Sequence, residues 1–507
     1  MGKKQNFDLS RDRASGVLMH ISSLPGNTGI GTLGKIAYDF VDFLRETNQR
    51  YWQILPICPT SFGDSPYQSF SSFAGNPYFI DLDLLREQGL LDLSDYENIY
   101  WGDDPTKVDY SIIYRNRSKV LEKVYSKFFE NVPAGFAVFC NENAAWLEDY
   151  SLFMAIKDEH GGKAFSLWED DIRMREKDAL SQWRRKCSDR VEYYKMLQYL
   201  FYVQWNDLKE YANERGILII GDIPIYISGD SADVWTNPEE FYLDEAFHSI
   251  EVAGCPPDAF SAEGQLWGNP LYDWEHMKEN DFSWWKNRLK KNLEIYDILR
   301  IDHFLGFETY YCIPYGSENA KTGYWKKGPG IDFWNNMKTQ LGDLPIIAED
   351  LGVLSDSVKE MLKNCGFPGM KVLQFAFDSR EKSDYLPYKY HSNCVVYTGT
   401  HDNNTLVGWL EEICENDLKY AMDYLGVDCP KNIPEALMVS AISCVANTCI
   451  LTLQDLIGLG VSGRMNVPST VGNNWCWRAT KEELDMIDKN KLSHFTNLYG
   501  RNISTYL

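Results

Sequence analysis

The chain has 507 residues, of which 44% are hydrophobic and 24% charged. That ordinary globular balance excludes a disordered, collagen-like or coiled-coil protein. The net charge is −23, from 50 lysines and arginines against 73 aspartates and glutamates; such a surface repels phosphate backbones and anionic membranes, so neither nucleic acid nor a membrane is an expected partner.

The opening residues carry charge but no apolar stretch of the kind a signal peptide needs. The twelve cysteines are too dilute for a disulfide scaffold, none are spaced CxxC, and no HExxH occurs. Reduced thiols, no zinc site and a cytoplasmic location are the expectations.

Along the chain, short apolar runs end in a polar or acidic residue. They lie at 16–21, 51–56, 217–222, 298–302, 345–350, 371–375, 394–402 and 449–455. Near-continuous apolar runs of this length read as strands buried on both faces, as in parallel sheets. Helix-period stretches separate them, for example 353–365, with Ser355 as its N-cap and Gly366 just past its end. Strand alternating with helix eight times predicts an α/β fold, a (β/α)8 TIM barrel.

Two connections are too long for a single crossover. One, over 60–210 between strands 2 and 3, is read as a mainly helical insertion with helices at 120–129, 144–156 and 190–214. A separate small domain is the alternative reading. The other, over 225–297 between strands 3 and 4, is rich in Pro, Gly, Trp and Tyr and reads as loop. Long loops in a compact domain usually carry function, so both are placed over the C-terminal face of one catalytic barrel spanning 1–507. The most apolar window, 436–453, is broken by Ser440, Ser443, Asn447, Thr448 and Thr452. It reads as a buried helix and then a buried strand, not a membrane span.

In a barrel the C-terminal strand ends build the active site. Asp222, Asp302, Glu349, Asp402 and Asp455 all stand at such ends. Like charges in one bowl disfavour full ionisation, so at least one carboxyl should keep its proton. A protonated carboxyl beside an ionised one is the pair glycoside chemistry uses. Plain alternatives exist: such acids also cap helices or pair with arginines, and His401-Asp402-Asn403-Asn404 has ligand types that suit magnesium. Gly458-Leu459-Gly460-Val461-Ser462-Gly463 fits GxGxxG, but Pro468 and the turn residues after it argue for a loop where a dinucleotide site needs a helix.

An ordered series of motifs runs through the chain: Ser65-Pro66-Tyr67-Gln68-Ser69, Gly221-Asp222-Ile223-Pro224, Pro256-Pro257-Asp258-Ala259-Phe260, Gly264-Gln265-Leu266-Trp267-Gly268-Asn269-Pro270, Arg300-Ile301-Asp302-His303-Phe304, Ala348-Glu349-Asp350-Leu351-Gly352 and Gly399-Thr400-His401-Asp402-Asn403. Together they resemble the amylomaltases, the bacterial 4-α-glucanotransferases of glycoside hydrolase family 77, and are similar to the plant disproportionating enzymes. The resemblance runs from about Gly16 to the C-terminus.

The resemblance implies roles. Asp302 matches the nucleophile, Glu349 the general acid/base, and Asp402 the third carboxylate, which binds sugar hydroxyls and strains the ring. Arg300 and His401 match contacts to the nucleophile and the bound glucose. Tyr67 and Asp222 match the lining of the pocket for the attacked sugar. Asp258, Gln265, Trp267 and His303 match glucan contacts around it, and Asn473 is a further expected contact in the 466–475 loop. The segment 254–274 is expected to form a lid. The resemblance implies neither a metal nor an organic cofactor, and α-1,4-glucans as donor and acceptor. A monomer or weak homo-oligomer is the expected assembly.

The chain departs from the family pattern at Asn404, where an acid is common, at Ser469, where Gly is frequent, and at Asn473-Asn474-Trp475, which has one Asn more than usual. Two rival readings are an α-amylase-like retaining hydrolase on the same barrel and a non-catalytic glucan-binding barrel. The complete set Asp302, Glu349 and Asp402 argues against the second.

Overall fold

The computed structural model describes residues 8–257, 261–352 and 354–502. Twelve strands are present among them: β1 (Ala14–Leu18), β2 (Tyr51–Gln53), β3 (Leu218–Pro224), β4 (Glu251–Cys255), β5 (Gln265–Pro270), β6 (Ile298–Asp302), β7 (Thr309–Pro314), β8 (Tyr324–Lys327), β9 (Ile346–Ala348), β10 (Gly369–Val372), β11 (Cys394–Tyr397) and β12 (Thr448–Thr452). Eight of them close into a barrel in the order β1-β12-β11-β10-β9-β6-β3-β2. Every pairing around the barrel is parallel. The fold is thus a (β/α)8 barrel, and each of the eight apolar runs supplies one strand.

Strand alternation sorts the side chains into two cores. Leu18, Tyr51, Ile220, Ile298, Ile347, Met370, Val395, Tyr397 and Ile450 fill the barrel interior. Their sequence neighbours, such as Val17, Trp52, Ile219, Leu299, Val396 and Leu451, face the surrounding helices. Gly16 shares the inward parity of Leu18, and a Cβ there would stand 2.3 Å from the Tyr51 Cβ. Tyr51 can enter the barrel only because that position carries no side chain.

Between β2 and β3 the chain forms the helices Tyr110–Glu130, Ala134–Glu142, Ala144–Glu159, Lys177–Lys186 and Ser188–Glu214. Their buried side chains, among them Leu121, Phe128, Phe153 and Trp205, share one continuous core with the outer face of the barrel. Between β3 and β6 the chain is more regular than its composition predicts. It supplies β4 and β5, which join β7 and β8 in an antiparallel sheet of order β5-β4-β7-β8. The helices Trp274–Glu279 and Ser283–Ile295 then lead into β6.

Local signals act as expected at several ends. Ser355 Oγ accepts the Val358 N–H, and Gly366 ends the helix Asp356–Cys365 at φ 72°; position 353 lies outside the described residues. The apolar window 436–453 resolves into the helix Ile433–Ser443 followed by β12. No helix among the described residues is long and apolar enough to cross a membrane. Gly458 terminates a short helix, Leu453–Ile457, and the GxGxxG match runs through a single 3-10 turn, Val461–Gly463, into loop, the next α-helix being Lys481–Asp485.

The barrel's seam is fastened from below. Arg501 is fully buried. Its guanidinium donates to the carbonyls of Ala14 and Asn447, each at 2.8 Å, and to that of Ile442 at 2.6 Å. It thereby ties the start of the first strand to the approach of the last.

Candidate active site

Alternation also aims the acids. Ile298, Arg300 and Asp302 share one face of β6, and Ile298 belongs to the barrel interior. Two residues beyond the interior Ile220 stands Asp222, and two beyond Ile347 stands Glu349. All four polar groups therefore emerge at the C-terminal mouth.

Arg300 organises them. It is buried and donates from Nη1 to both Asp222 oxygens, at 2.8 and 2.6 Å. Its Nη2 donates to Asp302 Oδ1 at 3.0 Å, and its Nε faces the Met370 sulfur at 3.3 Å. Such a two-pronged guanidinium contact fixes both position and angle. Burial disfavours the Arg300 charge, but Asp222 and Asp302 outweigh it and lift its pKa well above the usual value.

Tyr67 joins a second element to this core. Its hydroxyl donates to Asp222 Oδ2 at 2.8 Å and lies 3.4 Å from His401 Nδ1. Its ring stacks on His401, with centroids 5.1 Å apart. His401 Nε2 stands 3.4 Å from Asp402 Oδ2, and Asn466 Nδ2 donates to Asp402 Oδ1 at 2.7 Å. Burial alone would raise Asp402; His401 and the Asn466 amide outweigh it and hold the carboxyl at about 2.

Glu349 sits in a different environment. Its Oε2 accepts the His303 N–H at 2.7 Å, and its Oε1 accepts the Leu351 N–H at 2.9 Å. Burial first, and then the neighbouring Asp302 charge, push its pKa up to about 7, against the opposing pull of Arg300. Asp402 and Glu349 are thus two carboxyls of one mouth with pKa values driven far apart. One carboxyl of this mouth can therefore keep a proton at neutral pH while another stays ionised.

His303 and Trp267 border Glu349. The Trp267 ring meets the His303 ring edge-on at 4.8 Å, and Trp267 Nε1 bonds Gln265 Oε1 at 3.1 Å. Burial depresses His303 to about 4, so its ring is neutral. Both Gln265 and Trp267 stand on β5, a paired strand. The segment expected to form a lid is therefore a hairpin anchored through β4 on β7, at least where it is described. Asp258 and Phe260 lie outside the described residues.

The structure gathers Tyr67, Asp222, Arg300, Asp302, Glu349, His401 and Asp402, flanked by Gln265, Trp267 and His303. It does not bring in Asp455, which accepts the Thr398 hydroxyl at 2.8 Å and the Leu406 N–H at 2.7 Å and so pins a helix start. Asn473 is exposed at a loop tip, with φ 58°. Its neighbour Asn474 is buried and ties the loop together through Val467 and Thr470. Two contributors carry no sequence signal of their own: Asn466 beside Asp402, and Trp475, whose ring packs on Tyr67 and His401 at 5.7 and 5.8 Å. No group of three His, Cys, Asp or Glu among the described residues is arranged to hold a metal ion. Both His401 ring nitrogens already face protein partners.

The glycoside hydrolase family 77 model, 4-alpha-glucanotransferase, matches residues 19–484. The chain belongs to this family. Among its relatives, the 4-alpha-glucanotransferase of Clostridium butyricum is 48% identical over 485 residues, covering 95% of this chain and all of that protein. The 4-alpha-glucanotransferase of Streptococcus pneumoniae is 49% identical over 494 residues, 97% of this chain and 98% of its own. The solved amylomaltase of Streptococcus agalactiae in complex with acarbose superposes with a TM-score of 0.94 at 46% identity, covering 97% of this chain and 100% of that one. The family 77 chain is accordingly a 4-α-glucanotransferase, and the reading as a hydrolase is disfavoured.

Proposed function

We propose that the protein moves α-1,4-glucan segments between maltooligosaccharides and starch- or glycogen-type glucans in the cytoplasm, by a retaining double displacement. Asp302 attacks C1 of the donor glucose and forms a β-glycosyl ester. Glu349 protonates the departing 4-OH. The acceptor's 4-OH then attacks C1, gives its proton to Glu349 and releases Asp302, so the α configuration is kept. Asp402 holds hydroxyls of the attacked sugar, and Tyr67, Asp222 and His401 shape the pocket around it. Gln265, Trp267 and His303 contact the glucan beside that pocket, joined in this reading by Asp258 and Asn473.

The observation that carries the mechanism is the pKa of Glu349, raised to about 7 by burial and by the charge of Asp302. A carboxyl poised there holds a proton at neutral pH and can still give it up. Ester formation neutralises Asp302 and so removes one of the two influences that raise Glu349. The acid of the first step becomes a better base for the second without any movement.

The test is the product ladder from pure maltotriose. Transfer yields glucose and longer glucans with constant reducing ends. A rise in reducing ends matching the consumption of substrate would mean that water takes the intermediate, and the transfer reading would fail.

A further inference from the structure

Asp402 stands beyond the end of β11, on a turn with no ladder hydrogen bonds to hold it, yet each of its carboxylate oxygens has a separate partner. His401 Nε2 lies 3.4 Å from Oδ2, and Asn466 Nδ2 donates to Oδ1 at 2.7 Å. Asn466 is itself buried, although the residues that follow it, Val467 to Thr470, are exposed. Arg464 fastens the two together. It donates to the backbone carbonyl of Asp402 at 3.3 Å and to that of Asn466 at 3.0 Å. The loop is closed behind it, since the Trp475 N–H bonds the Met465 carbonyl at 2.7 Å and the Tyr110 hydroxyl bonds the Trp475 carbonyl at 3.0 Å.

We infer that Asn466 is the positioning residue for Asp402: its amide N–H fixes the rotation of that carboxylate and so presents the free lone pairs to the hydroxyls of the attacked sugar. The inference rests on the proposed role of Asp402. An ionised carboxylate only accepts hydrogen bonds, so the partner must be a donor, and an uncharged amide donates without competing with the sugar for the carboxylate's charge. Bonds to charged groups are the stronger ones, and losing this part-buried one is expected to weaken the function it supports by about 10- to 100-fold. The charged or titratable groups around this pair are His401 and Arg300 on the barrel side, Asp222 and Tyr67 behind His401, and Arg464 with Glu412, 3.8 Å apart, on the loop side.

Two substitutions test this on the intact enzyme with maltotriose. Asn466→Ala should lower kcat/KM about 10- to 100-fold across the pH range. Asn466→Asp keeps the volume and should be conditional on pH. While protonated, the introduced carboxyl donates to Asp402 much as the amide does; once ionised, it repels Asp402. Its kcat/KM should therefore approach that of the wild type near pH 5 and fall at least tenfold below it by pH 7. A residue that only packs the loop gives no such pH-dependent rescue. An Asn466→Asp profile parallel to the wild type overturns the inference, and so does an Asn466→Ala enzyme within twofold of it. The aspartate variant keeps the question open to measurement if the alanine variant does not fold. Asp402→Asn separates the two levels: if it retains activity, the role proposed for Asp402 fails, whereas loss of activity with unaffected Asn466 variants sinks only the positioning role.

Discussion

His303 offers its backbone N–H to the Glu349 carboxylate, 2.7 Å from Oε2, and does so from a left-handed conformation at φ 54°. A side chain with a Cβ adopts that region at a penalty of roughly 1–2 kcal/mol. The turn it makes directs the N–H at Glu349 and leaves the imidazole beside Trp267. One strained residue thus connects the Glu349 carboxyl to the Trp267 ring.

The pH profile should report Glu349. Its pKa is raised, to about 7, so its proton is present below that pH and is lost as pH rises through it. Donor cleavage needs the proton. The kcat/KM for maltotriose should fall on the alkaline side with an apparent pKa near 7. A plateau extending beyond pH 9 would mean that Glu349 is not the acid.

Substitution should separate the two carboxyls by half-reaction. Asp302→Ala should abolish transfer while glucan binding remains measurable. Glu349→Gln should slow turnover of maltotriose by about 10²- to 10⁴-fold. With α-glucosyl fluoride as donor, whose leaving group needs no acid, it should still form the glycosyl-enzyme. Detecting that adduct on Asp302 by mass spectrometry checks both assignments at once.

Trp267→Ala probes the wall formed by β5. The ring is half-buried and touches His303 edge-on, where a glucose face can stack against it. Shielding the glycosyl-enzyme from water favours transfer. The variant should lose about tenfold in transfer, gain in its hydrolysis-to-transfer ratio, and melt within a few degrees of the wild type. An unchanged ratio together with a large drop in Tm would make Trp267 a packing residue only.

Exhaustive EDTA treatment should leave activity intact. Asp222 and Asp302 already pair with Arg300, and His401 is shared between Tyr67 and Asp402. Loss of turnover that magnesium or calcium restores would return a metal to His401 and Asp402.

The barrel is legible in the sequence because parallel strands buried on both faces leave an unbroken apolar run, and because inward parity carries straight on from Ile298 to Arg300 and Asp302. Register at the run ends is less legible: β10 is Gly369–Val372, two residues earlier than the apolar run implies, because Leu373–Phe375 turns into a short 3-10 helix. The antiparallel sheet is hidden for a different reason. Its strands β4 and β7 pair across the whole of β6, and Thr309-Tyr310-Tyr311-Cys312-Ile313 shows no polar alternation because both of its faces are largely covered. Asp455, like Asp402, follows an apolar run, but it lies buried in the short helix Leu453–Ile457 and meets the Thr398 hydroxyl and the Leu406 N–H instead of the mouth. Asn466 is an ordinary loop asparagine until the fold places it beside Asp402.

Arg501 and Ala14 meet across 487 positions of chain. During synthesis β1 emerges first, and its partner β12 emerges almost last. One edge of β1 therefore has no neighbour until the barrel is nearly complete, and unpaired strand edges are where chains stick to one another. Ring closure is a late event in the life of each molecule. A chain shortened to end just before Arg501 would keep every described strand but leave the β1–β12 seam without this fastening, and aggregation rather than a gradual loss of activity is its expected failure.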